Sequence, residues 1–173
     1  MKKKLLTLTF TLILLIGLVA AVGMNASAET AVIDISAATG VSNYADLVVY
    51  LDQLRPKIYI KLTSDIEVTD DARDLSLPVD ASGTFVLDLN GYDIIVNSDN
   101  TTSIFNVGSN FSTEFHVINS ASARSEITLN SIADKASVFY INDARSSLHI
   151  YDNISINVAA DGRNYFYNPS GRT

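Results

Sequence analysis

Beyond residue 57 the apolar positions come in short alternating runs with polar residues between them. Ile60 and Leu62 are followed, after three residues, by Ile66 and Val68, and the same spacing returns at Leu148 and Ile150 with Ile154, Ile156 and Val158. Leu87 and Leu89 precede Ile94 and Val96 with one extra residue between, while Phe115 and Val117 precede Ile127 and Leu129 across a longer insertion, 118–126. A third run follows each pair, at 75–79, 104–107, 138–141 and 165–167. Alternation with period two marks a strand with one buried face. Val, Ile, Thr, Tyr and Phe dominate the runs, and Asn, Asp, Ser and Gly punctuate them, as strands and turns require.

Whole three-run units therefore recur, with first strands at Ile60, Leu87, Phe115 and Leu148 and steps of 27, 28 and 33 residues. This predicts an all-β chain folded as a parallel β-helix of about four three-strand coils, with the length variation placed in corners. An antiparallel sandwich has strands at similar intervals, yet gives no reason for the unit as a whole to repeat. The stretch FVLDLNGYDIIV at 85–96 is the sharpest case, since Asn-Gly between alternating runs is a hairpin signal when read alone. Within the repeat it becomes a corner with one residue of slack. Ahead of the strands, Ala45, Leu47, Val48, Leu51 and Leu54 fall near helical spacing behind Ser42 or Asn43 as N-cap, and Pro56 stops the run. The reading is an N-terminal α-helical cap at 42–56 over a β-helix at 57–173.

Alternate residues of a strand point inward, so Ile60, Leu87, Phe115 and Leu148 are expected in one interior column, and Leu62, Leu89, Val117 and Ile150 in the next. Between them Lys61, Asp88, His116 and His149 would form an outward column at steps of about 4.8 Å. Both histidines of the chain lie in it. A carboxylate beside imidazole raises the imidazole's affinity for a proton, which invites a proton-transfer or metal reading. Solvated polar residues on the outside of a strand account for the column without any function and are the preferred reading, and two histidines are few ligands for zinc.

Composition changes the picture at the N-terminus. Met1 and Lys2 to Lys4 form a basic start, residues 5–22 an apolar core and Ala26-Ser27-Ala28 a small-residue cleavage site, so 1–28 reads as a signal peptide and 29–41 as an N-terminal extension. No second apolar run follows, and no stable membrane insertion is expected once the leader is removed. Removing the three lysines, with no acidic residue before Glu29, takes the formal charge from −7 to −10 over 145 residues. Nucleic acid is not an expected partner of so acidic a chain. The lack of cysteine excludes disulfides, thiol nucleophiles and thiolate metal sites.

Tyr44-Ala45-Asp46-Leu47, then residues 58–68, IYIKLTSDIEV, then 87–94, LDLNGYDI, resemble the start of pectate-lyase-like right-handed β-helix domains. They are most similar to the pectate-lyase-like adhesive domain of exported Gram-positive surface proteins, over roughly 42–160. The resemblance implies a secreted or wall-associated bacterial protein contacting a polysaccharide, or a host or matrix surface glycan, often without catalysis. Enzymatic members of the wider superfamily cleave acidic polysaccharides with Ca2+ held by clustered carboxylates and a basic residue that accepts a proton. The chain departs from the pattern in its few coils and in lacking a wall-sorting motif. Residues 164–173 offer no clear second cap, so end-to-end self-association or continuation into further coils is expected there.

Candidate chemistry is then limited. Asp70, Asp71 and Asp74 are the densest carboxylates and would be the place for Ca2+, although a solvated acidic turn explains them without an ion. Asp88, His116 and His149 are candidate ligand-binding residues from the column. Tyr140, with Tyr165 or Tyr167, supplies outward rings on the third strand if Phe139 and Phe166 face in, either as platforms for sugar or as strand-pairing rings. Asn90, Asn119 and Asn153 fall near one corner in successive coils and read as structural. No catalytic residue or cofactor is assigned. The expected function is an exported, non-enzymatic β-helix module for adhesion or carbohydrate contact; the alternative is a polysaccharide lyase or glycoside hydrolase, or its N-terminal part.

Overall fold

The computed structural model describes residues 36–51, 53, 55–80, 83–108, 112–133 and 136–159, with the backbone path alone at 165–169. The expected leader, 1–28, lies outside the described residues, as do the side chains of Tyr165, Phe166 and Tyr167. A first strand, β1 (Thr39–Val41), precedes helix α1 (Tyr44–Leu51). Twelve strands follow in threes: β2 (Lys57–Leu62), β3 (Ile66–Thr69) and β4 (Leu77–Val79), then β5 (Thr84–Asp88), β6 (Ile94–Asn97) and β7 (Ser103–Val107). The next are β8 (Glu114–Ile118), β9 (Ser125–Asn130) and β10 (Ser137–Ile141), and then β11 (Ser147–Ile150), β12 (Ile154–Ala159) and β13 (Tyr165–Pro169).

Every ladder between these strands is parallel, and each strand pairs with its equivalents one unit before and after. The sheets run β1-β2-β5-β8-β11, β3-β6-β9-β12 and β4-β7-β10-β13, and the chain is a parallel β-solenoid of about three turns. β5 and β6 do not pair with each other, so the Asn-Gly stretch turns a corner. Its turn chemistry is nonetheless real. Asn90 and Gly91 take φ of 51° and 85°, and the Tyr92 N–H donates to the Leu89 carbonyl at 2.9 Å. The dipeptide makes the tight turn its chemistry favours, and the strands on either side leave it toward different sheets.

The interior register differs from the expected columns by two residues at one step. Ile60 pairs with Leu87 and Phe115 with Leu148, as expected, but Leu87 lies beside Val117 and Phe85 beside Phe115. The interior columns are therefore Ile58-Phe85-Phe115-Leu148 and Ile60-Leu87-Val117-Ile150. Aromatic packing accounts for the choice. Phe85 and Phe115 meet edge to face at 5.2 Å, Phe105 sits 5.5 Å from Phe115, and Phe105 and Phe139 stack at 5.4 Å, all four fully buried. Such pairs add about 1 kcal/mol each beyond the area they bury, so the register that joins the rings wins.

Helix α1 is shorter than the expected run and is capped by Asn43. The Asn43 Oδ1 accepts the Asp46 N–H at 2.9 Å and its Nδ2 donates to the Asp46 carboxylate at 2.8 Å, a reciprocal cap on the first turn. Leu47 and Leu51 are buried in the common core, while Val49 is exposed. Tyr44 fastens the helix by donating its hydroxyl to the Leu75 carbonyl at 2.8 Å, beside β4. No helix among the described residues is long and apolar enough to cross a membrane.

Candidate functional site

The outer face of the five-stranded sheet carries most of the chemistry. Its residues are set by strand parity: with Ile58, Ile60 and their partners inward, Lys57, Tyr59 and Lys61 point out. Reading across the strands, one outer row is Lys57-Thr84-Glu114-Ser147, the next Tyr59-Val86-His116-His149, and the third starts Lys61-Asp88-Ile118. The expected column is thus two half-columns. Lys61 does lie beside Asp88 and His116 beside His149, but the histidines share their row with Val86. Asp88 sits one outward position along, because β8 enters two residues later than the repeat suggests.

Asp88 is consequently a corner residue. It is fully buried and accepts the Asn90 and Ser120 N–H groups, both at 2.9 Å, and the Ser120 hydroxyl at 2.7 Å, with the Lys61 ammonium 3.8 Å away. A carboxylate with these partners stays satisfied without a ligand.

His116 and His149 stack nearly parallel, 12° apart, with ring centroids at 4.6 Å. The carboxylate beside them is Glu114, unassigned from sequence, whose Oε1 lies 3.2 Å from the His116 Nε2 and 3.8 Å from the His149 Nε2. The Tyr151 hydroxyl lies 3.1 Å from the His116 Nδ1, and the Ser147 hydroxyl 3.2 Å from the His149 Nε2. His116 is buried, while Glu114 and His149 have side chains about half exposed, at 51% and 45%. The expectation that a neighbouring carboxylate raises imidazole basicity is reversed at His116. Burial first and the second imidazole next hold it below its ordinary 6.5, against the upward pull of Glu114. Glu114, His116 and His149 form the group of metal-competent side chains among the described residues, their ligand atoms all within 4.8 Å of one another.

Glu114 was within reach of sequence reasoning, and Tyr151 was not. Aligning Thr84-Phe85-Val86 with Glu114-Phe115-His116 on their phenylalanines places Glu114 two residues from His116 on the same face. Tyr151 follows β11 at a corner, where period-two parity no longer applies, and nothing in its spacing points back to His116.

The other candidates stand apart from this face. Asp70 accepts the Ala72 N–H and pairs with Arg73, and Asp74 accepts both the N–H and the hydroxyl of Ser76. The Asp71 carbonyl accepts from Asn100. These are turn-building bonds, and the three carboxylates do not converge as a metal-competent group. Tyr140 is half-buried on β10, with Asn106 on one side and Asn168 on the other in the register. Tyr165 is paired with Ser137 and Tyr167 with Phe139, so the backbone places neither beside Tyr140.

The asparagine corner is structural. Asn90 donates to the Leu62 carbonyl at 3.0 Å, Asn119 accepts the Gly91 N–H at 2.9 Å and donates to the Asn153 carbonyl at 3.0 Å, and Asn153 adopts φ of 62°. A second ladder, Thr69-Asn97-Asn130, ends the other sheet, with Asn130 donating to Asn97 at 2.7 Å and Asn97 to Thr69 at 3.2 Å. Comparison of the chain with family models, with curated proteins and with solved structures gave no match.

Proposed function

We propose that the protein is an exported, non-enzymatic β-helix module that binds polysaccharide or a surface glycan through the outer face of its five-stranded sheet. The observation that carries this reading is the composition of that face. Tyr59, the stacked imidazoles and Tyr151 supply flat, partly apolar rings, and Lys57, Lys61 and Glu114 flank them with hydrogen-bonding groups. A rigid parallel sheet spaces such groups at fixed intervals, which suits an extended chain of sugar rings better than a compact solute.

The finer assignment rests on the resemblance at 44–47, 58–68 and 87–94 to pectate-lyase-like adhesive domains of Gram-positive surface proteins. It brings with it right-handed winding, the hand that parallel crossovers adopt in nearly all sheets, and α1 as the cap of the first turn. Leu47 and Leu51, buried in the core, support the capping role. The leader-like 1–28 supports export, and self-association through strand edges belongs to the same reading.

Affinity electrophoresis through gels containing polygalacturonate, other acidic polysaccharides or neutral glucans tests it. Retarded migration is expected in at least one gel, with the retardation lost in Tyr59→Ala. Free migration in all of them overturns the reading. Release of unsaturated product from polygalacturonate in the presence of Ca2+ would instead establish the lyase alternative.

A further inference from the structure

We propose that Glu114, His116 and His149 bind a divalent transition-metal ion of the Zn2+ kind. These three side chains lie on the face proposed to contact glycan, but they converge on the protein alone, so the ion needs no glycan in order to bind. Two adjacent strands supply it: β8 gives Glu114 and His116 at successive outward positions, and β11 places His149 directly across from His116. Two imidazole nitrogens and one carboxylate oxygen make a donor set suited to Zn2+, Ni2+ or Cu2+, whereas Ca2+ requires six or more oxygens.

Tyr151 is the positioning residue. With the His116 Nδ1 bearing the proton and donating to the Tyr151 oxygen, the Nε2 lone pair is left free on the Glu114 side. Ring nitrogens bind zinc at about 2.1 Å with lone pairs in the ring plane, and two parallel stacked rings cannot aim at one point. One imidazole therefore has to turn. His116 is buried and held by Tyr151, while His149 is about half exposed, so the His149 ring rotates about its broad terminal torsion to close the site. Three protein ligands leave the remaining position to water.

Isothermal titration of the EDTA-stripped protein with Zn2+, in the absence of polysaccharide, tests the proposal. Binding of one ion per chain is expected, with proton release on binding if pH is lowered into the imidazole range. His149→Ala and Glu114→Gln change exposed side chains, so circular dichroism should report an unaltered fold. Each should lower the affinity by more than tenfold, and Tyr151→Phe by about tenfold through loss of the ring's orienting partner. The Tyr151→Phe loss should be accompanied by a changed nitrogen chemical shift of the His116 ring in the metal-free protein. Absence of stoichiometric Zn2+ binding, wild-type affinity in both exposed variants, or equal affinity for Ca2+ would each overturn it. Failure here leaves glycan retardation unaffected, and failure of retardation leaves the titration unaffected.

Discussion

His116 shows how a single side chain can be read correctly for place and wrongly for behaviour. Its outward position and its neighbour His149 follow from the repeat, but its burial, with Val86 beside it in the register and the Tyr151 ring 5.9 Å away, does not. With its folded pKa depressed below 6.5, the unfolded chain takes up the proton more readily. Stability at this residue is therefore fully present above the unfolded value and is lost as pH falls through the folded one. Glu114, His149 and Tyr151 are the titratable groups that face it. In EDTA the melting temperature should drop between pH 7 and pH 5, and His116→Gln should flatten that slope; an unchanged slope in the variant would assign it elsewhere. Asp70 and Glu126, held low by local hydrogen bonds, and Asp143, lowered to about 2 by its bonds from Arg145, act in a more acidic window, below their ordinary 3.8 to 4.5. Asp88 is the converse case, since the sequence shows a polar residue on a strand and only the corner geometry reveals that four groups already surround it.

At the scale of elements, the strands were legible because apolar alternation repeats unit by unit, and all twelve strands after the helix lie in or beside the expected runs. Two things were not. β1 is three residues long and joins the sheet beside β2 from a segment without alternation, so no periodicity announces it. The step from β5 to β8 was misjudged because Leu87 and Phe115 are both good interior residues, and only the contact between Phe85 and Phe115 decides between the two registers. The corner between β5 and β6 makes a sharper statement. Gly91 has φ of 85°, and a Cβ there would come within 3.0 Å of the Ala121 Cβ, in the insertion that precedes β9. Gly91→Ala should thus cost about 1 to 3 kcal/mol, seen as a lower urea midpoint at unchanged slope. A variant as stable as the parent would mean that the corner relaxes freely.

For the whole molecule, the absence of cysteine leaves packing and pairing to hold the solenoid together. Each unit buries its apolar residues against the next, so stability accumulates along the axis through neighbouring units and no single pair of distant residues closes the structure. The core is continuous from Leu47 and Leu51 of α1 through the phenylalanine cluster to the half-buried Ile154 and Val158 of β12. Handedness and the identity of any ligand are properties of the assembled solenoid, which is why recurrence alone did not supply them.

The side-chain ladders alter how the corners open to solvent. Loops ordinarily exchange their amide hydrogens within seconds, because nothing but water competes for them. Here the corner N–H groups of Gly91 and Asp93, and that of Glu126 at the start of β9, are held by the side chains of Asn119, Asp65 and Asp93 in neighbouring units, at 2.7 to 2.9 Å. Their deuterium uptake should be as slow as that of the strands they join, and Asn119→Ala should release the amide at Gly91 while leaving that at Glu126 protected. Bends of this kind would leave a protease few places to begin.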